Sequence, residues 1–397
     1  MNRFFILSLL IFFTAAGLFP AELSAKLSVK PSAGLSGVFD STVNYSLGAG
    51  AAPSHSWGIE EYANLRLRVP AGEKAVFFAA VNLIAMTGNK LQAAALPAPP
   101  GFPLLSTPLV YGQNFAAALE LERLYLRING DYLDAELGLL RLNFGYGQIW
   151  GSSDFLNPRN PLVTNARPRG VLAGNISFYP ADSLKLNFFA AAPKDPLEAE
   201  GGGFIPGLLL DQHWDRLSLQ FIYSYETPLA ASGWGIHRFG LSLKADLELG
   251  FVVDALYSLN PVNVSGIDDF SIGAGYDYSL LGGDLYLLFE YLFNGKSSAT
   301  ALGHGGAFRN RHYLYGTALY RFNDYSNMSL SAVFCFDDLS FSPFITFNYD
   351  IFQGFSLNLT ARLCFDAKDF GGTKAGELGP VNSQTRFTVD AGLRLRF

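Results

Sequence analysis

Apolar and polar residues alternate with a period of two along most of the chain, from about Ala33 to the last residue. The run 386–397, R-F-T-V-D-A-G-L-R-L-R-F, shows it most clearly. Phe387, Val389, Ala391, Leu393, Leu395 and Phe397 form one set; Arg386, Thr388, Asp390, Gly392, Arg394 and Arg396 form the other. Alternation of this kind places the two sets on opposite faces of a β-strand. The same pattern runs through Leu217–Tyr225, Phe239–Leu247 and Phe355–Phe365, and the second face of the last is wet: Ser356, Asn358, Thr360, Arg362, Cys364 and Asp366. Segments of roughly ten residues, divided by clusters of Gly, Pro, Asn, Asp and Ser, read as strands throughout.

Composition decides which face is inside. Charged residues are 16% of the 397, aromatics 15%, and Phe alone numbers 35. A soluble sheet of this size needs more charge on its outer face than that. Mean hydropathy is +0.19, yet no continuous apolar span follows residue 25. The longest uncharged stretch, Leu91–Leu119, is broken by Pro97, Pro99, Pro100, Pro103 and Pro108, which forbid a helix. Asn2 and Arg3, the apolar run Phe4–Leu18 and the segment Pro20–Ala25 read as a signal peptide, 1–25, cleaved after Ala25. An exported chain with spread hydrophobicity and no membrane helix satisfies its backbone by closing a barrel across the membrane. The ending on Phe397 resembles the terminal strand of bacterial outer-membrane β-barrels, a resemblance that implies recognition by the barrel-assembly machinery. Residues 26–397 are therefore expected to form one transmembrane antiparallel β-barrel in the bacterial outer membrane, greasy face toward lipid and polar face toward a lumen.

Topology supplies a strand that periodicity misses. Short periplasmic turns and long external loops should alternate strictly. Counted from each end, the short turns fall out of step between Pro193 and Leu217. A further strand at 204–211, F-I-P-G-L-L-L-D, restores the alternation despite Pro206. The total becomes about 18 strands, with 16 as the alternative.

The third external loop, 143–169, holds the densest chemistry. Its glycines 145, 147 and 151, with Trp150, Asp154 and Asn157-Pro158, resemble a loop of porin-like outer-membrane families. That resemblance implies a loop folded inward to narrow the lumen, with Asp154, Arg159, Arg167 and Arg169 at the constriction. Strand alternation adds Arg66, Arg68, Arg127 and Arg141 on the lumen face, opposed by Glu120, Glu122, Asp134, Glu136 and Asp390. The function expected is passive diffusion of small hydrophilic solutes, with a leaning toward anions. A ligand-specific transporter, or a structural barrel or adhesin, is the alternative.

Other chemistries lack their signals. The five histidines are scattered without zinc-ligand spacing, no G-x-S-x-G elbow occurs, and no cofactor motif or catalytic site is read. A net charge of −6 points away from nucleic acid. Partners are outer-membrane lipid and the solutes, and a homo-oligomer is compatible with the pattern. Cys335 and Cys364 lie on lumen positions two strands apart, too far for a disulfide, so both are expected as free thiols unless a bulge near Pro343 intervenes.

Overall fold

The computed structural model describes residues 33–48, 54–93, 106–157, 170–192, 203–228, 235–261, 266–295, 310–370, 376–379 and 385–397. The segment read as a signal peptide lies outside them. The elements begin with β1 (Gly34–Gly48), β2 (His55–Pro70), β3 (Ala75–Gly88), the short helix α1 (Asn89–Ala93), β4 (Ser106–Tyr111), β5 (Phe115–Asn129) and β6 (Leu133–Leu140). Next are β7 (Val171–Ala181), β8 (Leu184–Ala192), β9 (Ile205–Trp214), β10 (Leu217–Glu226), β11 (Ile236–Asp246) and β12 (Gly250–Leu259). The remainder are β13 (Phe270–Leu280), β14 (Leu285–Asn294), β15 (His312–Asn323), β16 (Ser326–Cys335), β17 (Ser340–Phe352), β18 (Phe355–Leu363) and β19 (Thr385–Arg396).

Each spanning strand pairs antiparallel with its neighbours, and β19 closes on β1 in the register Phe39↔Leu395 to Leu47↔Phe387. Closure continues past the strand, since Gly37 and Phe397 exchange N–H···O bonds of 2.8 and 3.1 Å. The Phe397 ring lies where a Cβ on Gly37 would stand, 2.5 Å from Cζ, so a side chain at Gly37 would displace that ring and crowd the Asn64 carbonyl at 2.9 Å. The result is an 18-strand closed barrel with one extra strand.

The extra strand is β4, which the sequence reading leaves inside a proline-rich loop. It pairs with Ala116–Glu120 of β5, along the edge that β6 leaves open, because β6 joins β5 only from Leu124 downward. The strand inferred from topology is β9. It runs from Ile205 to Trp214, paired to β8 and β10, with Pro206 at its second position, before pairing with β10 begins at Gly207. Pro343 pairs in regular register with Ala332, so no bulge forms there. Both cysteines are free, Cys335 fully buried.

The exterior is apolar. Leu65, Leu137, Phe188, Leu241, Leu330 and Ile345 are exposed at mid-strand, where water would penalise them and lipid does not. Aromatic side chains gather at the external rim in a repeated arrangement. Tyr45, Tyr223 and Tyr291 each meet a histidine of the next spanning strand, their hydroxyls 2.6, 3.0 and 2.6 Å from Nδ1 of His55, His237 and His312. Amphipathic rings at this level match a membrane interface.

Candidate functional site

The interior is divided by the chain after β6. Strand β6 ends at Leu140, and residues 141–157 turn into the barrel rather than continuing upward. Two apolar patches hold this segment. On one side Phe144 and Leu156 pack with Val171, Phe189, Ile205 and Ile222 of β7–β10. On the other, Trp150 packs with Leu288, Leu292, Tyr313, Val333 and Phe344 of β14–β17. The inward faces of those strands are thus partly apolar, where the sequence reading expects a wet lumen.

Between the patches the segment's backbone N–H groups are taken up by side chains of the inner wall. Gly145 N–H donates to Gln220 (2.5 Å) and Tyr146 N–H to Ser242 (2.9 Å). Gln148, Ile149 and Trp150 direct three successive N–H groups at the Glu290 carboxylate, at 3.2, 3.1 and 2.8 Å. Ser153 donates through both N–H and Oγ to Asp254, at 3.2 and 2.5 Å. A loop of this length cannot satisfy its own backbone, and buried N–H groups must find acceptors. Asp254, Glu290 and Gln220 supply them from β12, β14 and β10. The Tyr146 hydroxyl donates to Asp211 at 2.5 Å; burial, with the Asp211 carboxylate beside it, pushes that phenol above its ordinary range. Gly145 sits at φ +78°, and a Cβ there would stand 2.2 Å from Ser153 Oγ and 2.5 Å from an Asp254 oxygen.

Of the site residues expected from sequence, Asp154 is buried within the loop, where its Oδ1 accepts the Asn157 N–H. Arg159, Arg167 and Arg169 lie outside the described residues. Arg66 and Arg68 are exposed on the inward face of β2, Arg66 Nε donating to Asn64 Oδ1 at 2.5 Å. Arg127 bonds Asp134 at 3.0 Å and lies 3.8 Å from Glu136; Arg141 bonds Glu122 at 2.7 Å. Basic and acidic groups are thus interleaved on neighbouring strands, because opposite charges near low-dielectric walls gain most from short separations. Arg394 likewise holds Asp40, at 2.6 Å. A β-bulge explains how Glu120, Glu122 and Arg127 can all face inward, which one unbroken period forbids. The β3 register jumps from Ala80↔Arg123 to Val81↔Leu121, leaving Glu122 unopposed and shifting the phase of β5 by one residue.

At the external rim Lys90 of α1 reaches Asp390 (3.0 Å) and Glu60 (3.6 Å). Cys335, Asp338 and Glu377 bring potential metal-ligand atoms within 4.8 Å of one another. Their carboxylates are engaged by the chain itself: Asp338 accepts from Ser340, Asn310 and the Glu377 N–H, and Glu377 from Asn310 and Tyr313. The cluster reads as a clasp on the rim. Although burial works to raise it, hydrogen bonds from Ser340 and the Glu377 backbone hold the Asp338 carboxyl below its ordinary range.

The barrel fold has solved counterparts. The chain is similar to OccAB1 of Acinetobacter baumannii, with TM-score 0.58 and 10% identity over 95% of this chain and 99% of that one. OpdQ of Pseudomonas aeruginosa matches at TM-score 0.54 and 11% identity, over 93% and 99%. OccAB4 of Acinetobacter baumannii matches at 0.53 and 13%, over 91% and 98%. The fold is that of outer-membrane porins. No protein-family model matches the chain, and no curated protein matches it in sequence. Porin fold and apolar exterior together place the chain in a bacterial outer membrane.

Proposed function

We propose that the barrel is a channel for passive diffusion of small hydrophilic solutes, its lumen narrowed by segment 143–169. The observation that carries this reading is the docking of residues 144–156 on the inner wall from β7 to β17. Among the described residues, the wall left to line the path belongs to β18, β19, β1–β3 and β5. That wall bears Arg66, Arg68 and Arg396 beside Arg127, Arg141 and Arg394, which pair with Asp134, Glu122 and Asp40. Fixed cations along a water-filled path attract anions and repel cations, so the channel leans toward anions. Asp154 braces the loop in this reading, and Arg159, Arg167 and Arg169 add to the positive constriction.

Two apolar patches inside the barrel favour a narrow path over a wide one. They also support the second reading, a transporter selective for one ligand class. Current through a refolded chain in a planar bilayer separates the two. A diffusion channel gives steps whose conductance rises in proportion to salt, whereas a ligand-selective path saturates and is blocked by its solute.

A further inference from the structure

The external rim repeats one arrangement three times. Tyr45, Tyr223 and Tyr291 each stand near the top of a rising strand, and a histidine pairs with the position two residues further on: Leu47↔His55, Tyr225↔His237 and Phe293↔His312. The rings adopt nearly the same geometry each time, with centroids 5.9, 6.2 and 6.2 Å apart and planes at 29°, 28° and 29°. A further aromatic flanks each pair: Trp57 beside Tyr45, Tyr225 beside His237 and Phe293 beside His312. The chain neighbours Asn44, Arg238 and Tyr313 face inward, toward Asp390, Glu226 and Trp150, so the pairs lie on the outer face. Three of the five histidines in the chain are used in this way. Each is the first or second residue of its descending strand, at the upper margin of the apolar exterior.

Each tyrosine hydroxyl engages Nδ1 of its histidine, and among the described residues nothing bonds Nε2 of any of the three. With the hydroxyl donating to Nδ1, the imidazole proton sits on Nε2, across the ring from the tyrosine, as a donor for a group outside the chain. Placement around the barrel narrows what that group is. Counted in spanning strands, the three hairpins stand eight, four and six apart. A partner protein would engage one sector of the wall; what meets all three sectors is the surrounding lipid. The strongest acceptor that lipid offers at the edge of its apolar layer is the headgroup phosphate, because an ionised acceptor roughly doubles the strength of a hydrogen bond. We propose that His55, His237 and His312 are phosphate-binding positions for lipids of the external leaflet, each Nε2–H donating to a phosphate oxygen above the flanking aromatic rings. Asp337 lies beside His312 and accepts the backbone N–H groups of Arg311 and His312 at 2.8 and 2.7 Å. Its charge opposes phosphate there, so His312 should hold lipid least tightly.

The test is native mass spectrometry of the refolded chain in maltoside micelles, titrated with dioleoylphosphatidic acid and, in parallel, with a galactosyl diacylglycerol carrying the same acyl chains. The parent is expected to take up to three phosphatidates, each bound about tenfold more tightly than the galactolipid, the worth of one charge-assisted hydrogen bond. His55→Phe, His237→Phe and His312→Phe together keep the rings and remove the donors, and should erase that preference. His→Gln at the same three positions keeps an acceptor for tyrosine and a donor for phosphate, and should retain most of it. Heat-modifiable migration on gels shows that each variant has folded. Equal affinity of the parent for the two lipids overturns the proposal in favour of apolar contact alone. A preference unchanged in the triple Phe variant assigns the phosphate to other groups and overturns it as well, and Gln losing it as fully as Phe contradicts a hydrogen-bonding role. Inorganic phosphate bound as tightly as phosphatidate overturns the lipid assignment in favour of a free anion.

Discussion

Trp150 and Glu290 bind each other twice. The Glu290 carboxylate accepts the Trp150 backbone N–H at 2.8 Å, and the Trp150 indole donates to the Glu290 carbonyl at 3.0 Å. This pair fixes the far end of the inward segment to β14, and the N–H groups of Gln148 and Ile149 share the same carboxylate. Glu290→Gln leaves one acceptor oxygen where two serve, at a cost of about 2 kcal/mol for a lost charge-assisted bond. The undocked segment should then become about thirty-fold more populated. Larger or noisier current steps, with the barrel's thermal stability little changed, are the expected outcome.

Gly145→Ala should loosen the other end. The added methyl meets Ser153 Oγ and Asp254, and the position already lies at positive φ, which costs a non-glycine residue about 1–2 kcal/mol before any clash. Its current record should resemble that of E290Q. A G145A channel identical to the parent would show that the segment does not limit flow.

The charges can be tested in opposite directions. Neutralising Arg66 and Arg68 removes two exposed cations from the lumen wall, so the reversal potential under a salt gradient should move toward cations. Glu122→Gln removes the carboxylate that engages Arg141 and lies 3.7 Å from Arg123, so the same measurement should move toward anions. Both variants should fold, since a hydrated lumen tolerates altered charge better than a lipid face does.

The rim clasp carries a pH signature. The folded pKa of Asp338 lies below its ordinary 3.8, so this group contributes stability above that value and loses it as pH falls through the folded pKa. The midpoint of thermal unfolding should therefore hold steady from pH 7 to about 5 on account of this group and fall below pH 4. Asp338→Asn should lower the neutral-pH midpoint and flatten the acid step.

Much of this fold is legible in the sequence because a lipid-facing barrel writes one rule into every strand: apolar at each second residue. Even β9, with Pro206 in it, follows from the need to alternate short turns with long loops. Two features escape that rule. The Glu122 bulge reverses the phase of β5 midway, and β4 hides in a proline-rich segment that pairs on one edge only. The inward loop is announced by its glycines, but its partners are not. Glu290 and Asp254 look like ordinary lumen carboxylates, and they stand 140 and 101 residues from Trp150 and Ser153. Period-two reading assigns a side chain to a face; it cannot say which distant backbone that face will hold.

The most direct test of the channel account is single-channel recording of the refolded chain beside its E290Q variant, in a planar bilayer under a salt gradient. Discrete steps with an anion-leaning reversal potential, and larger or noisier steps for E290Q, are the expected result. A folded, heat-modifiable barrel that passes no current in either form would contradict it.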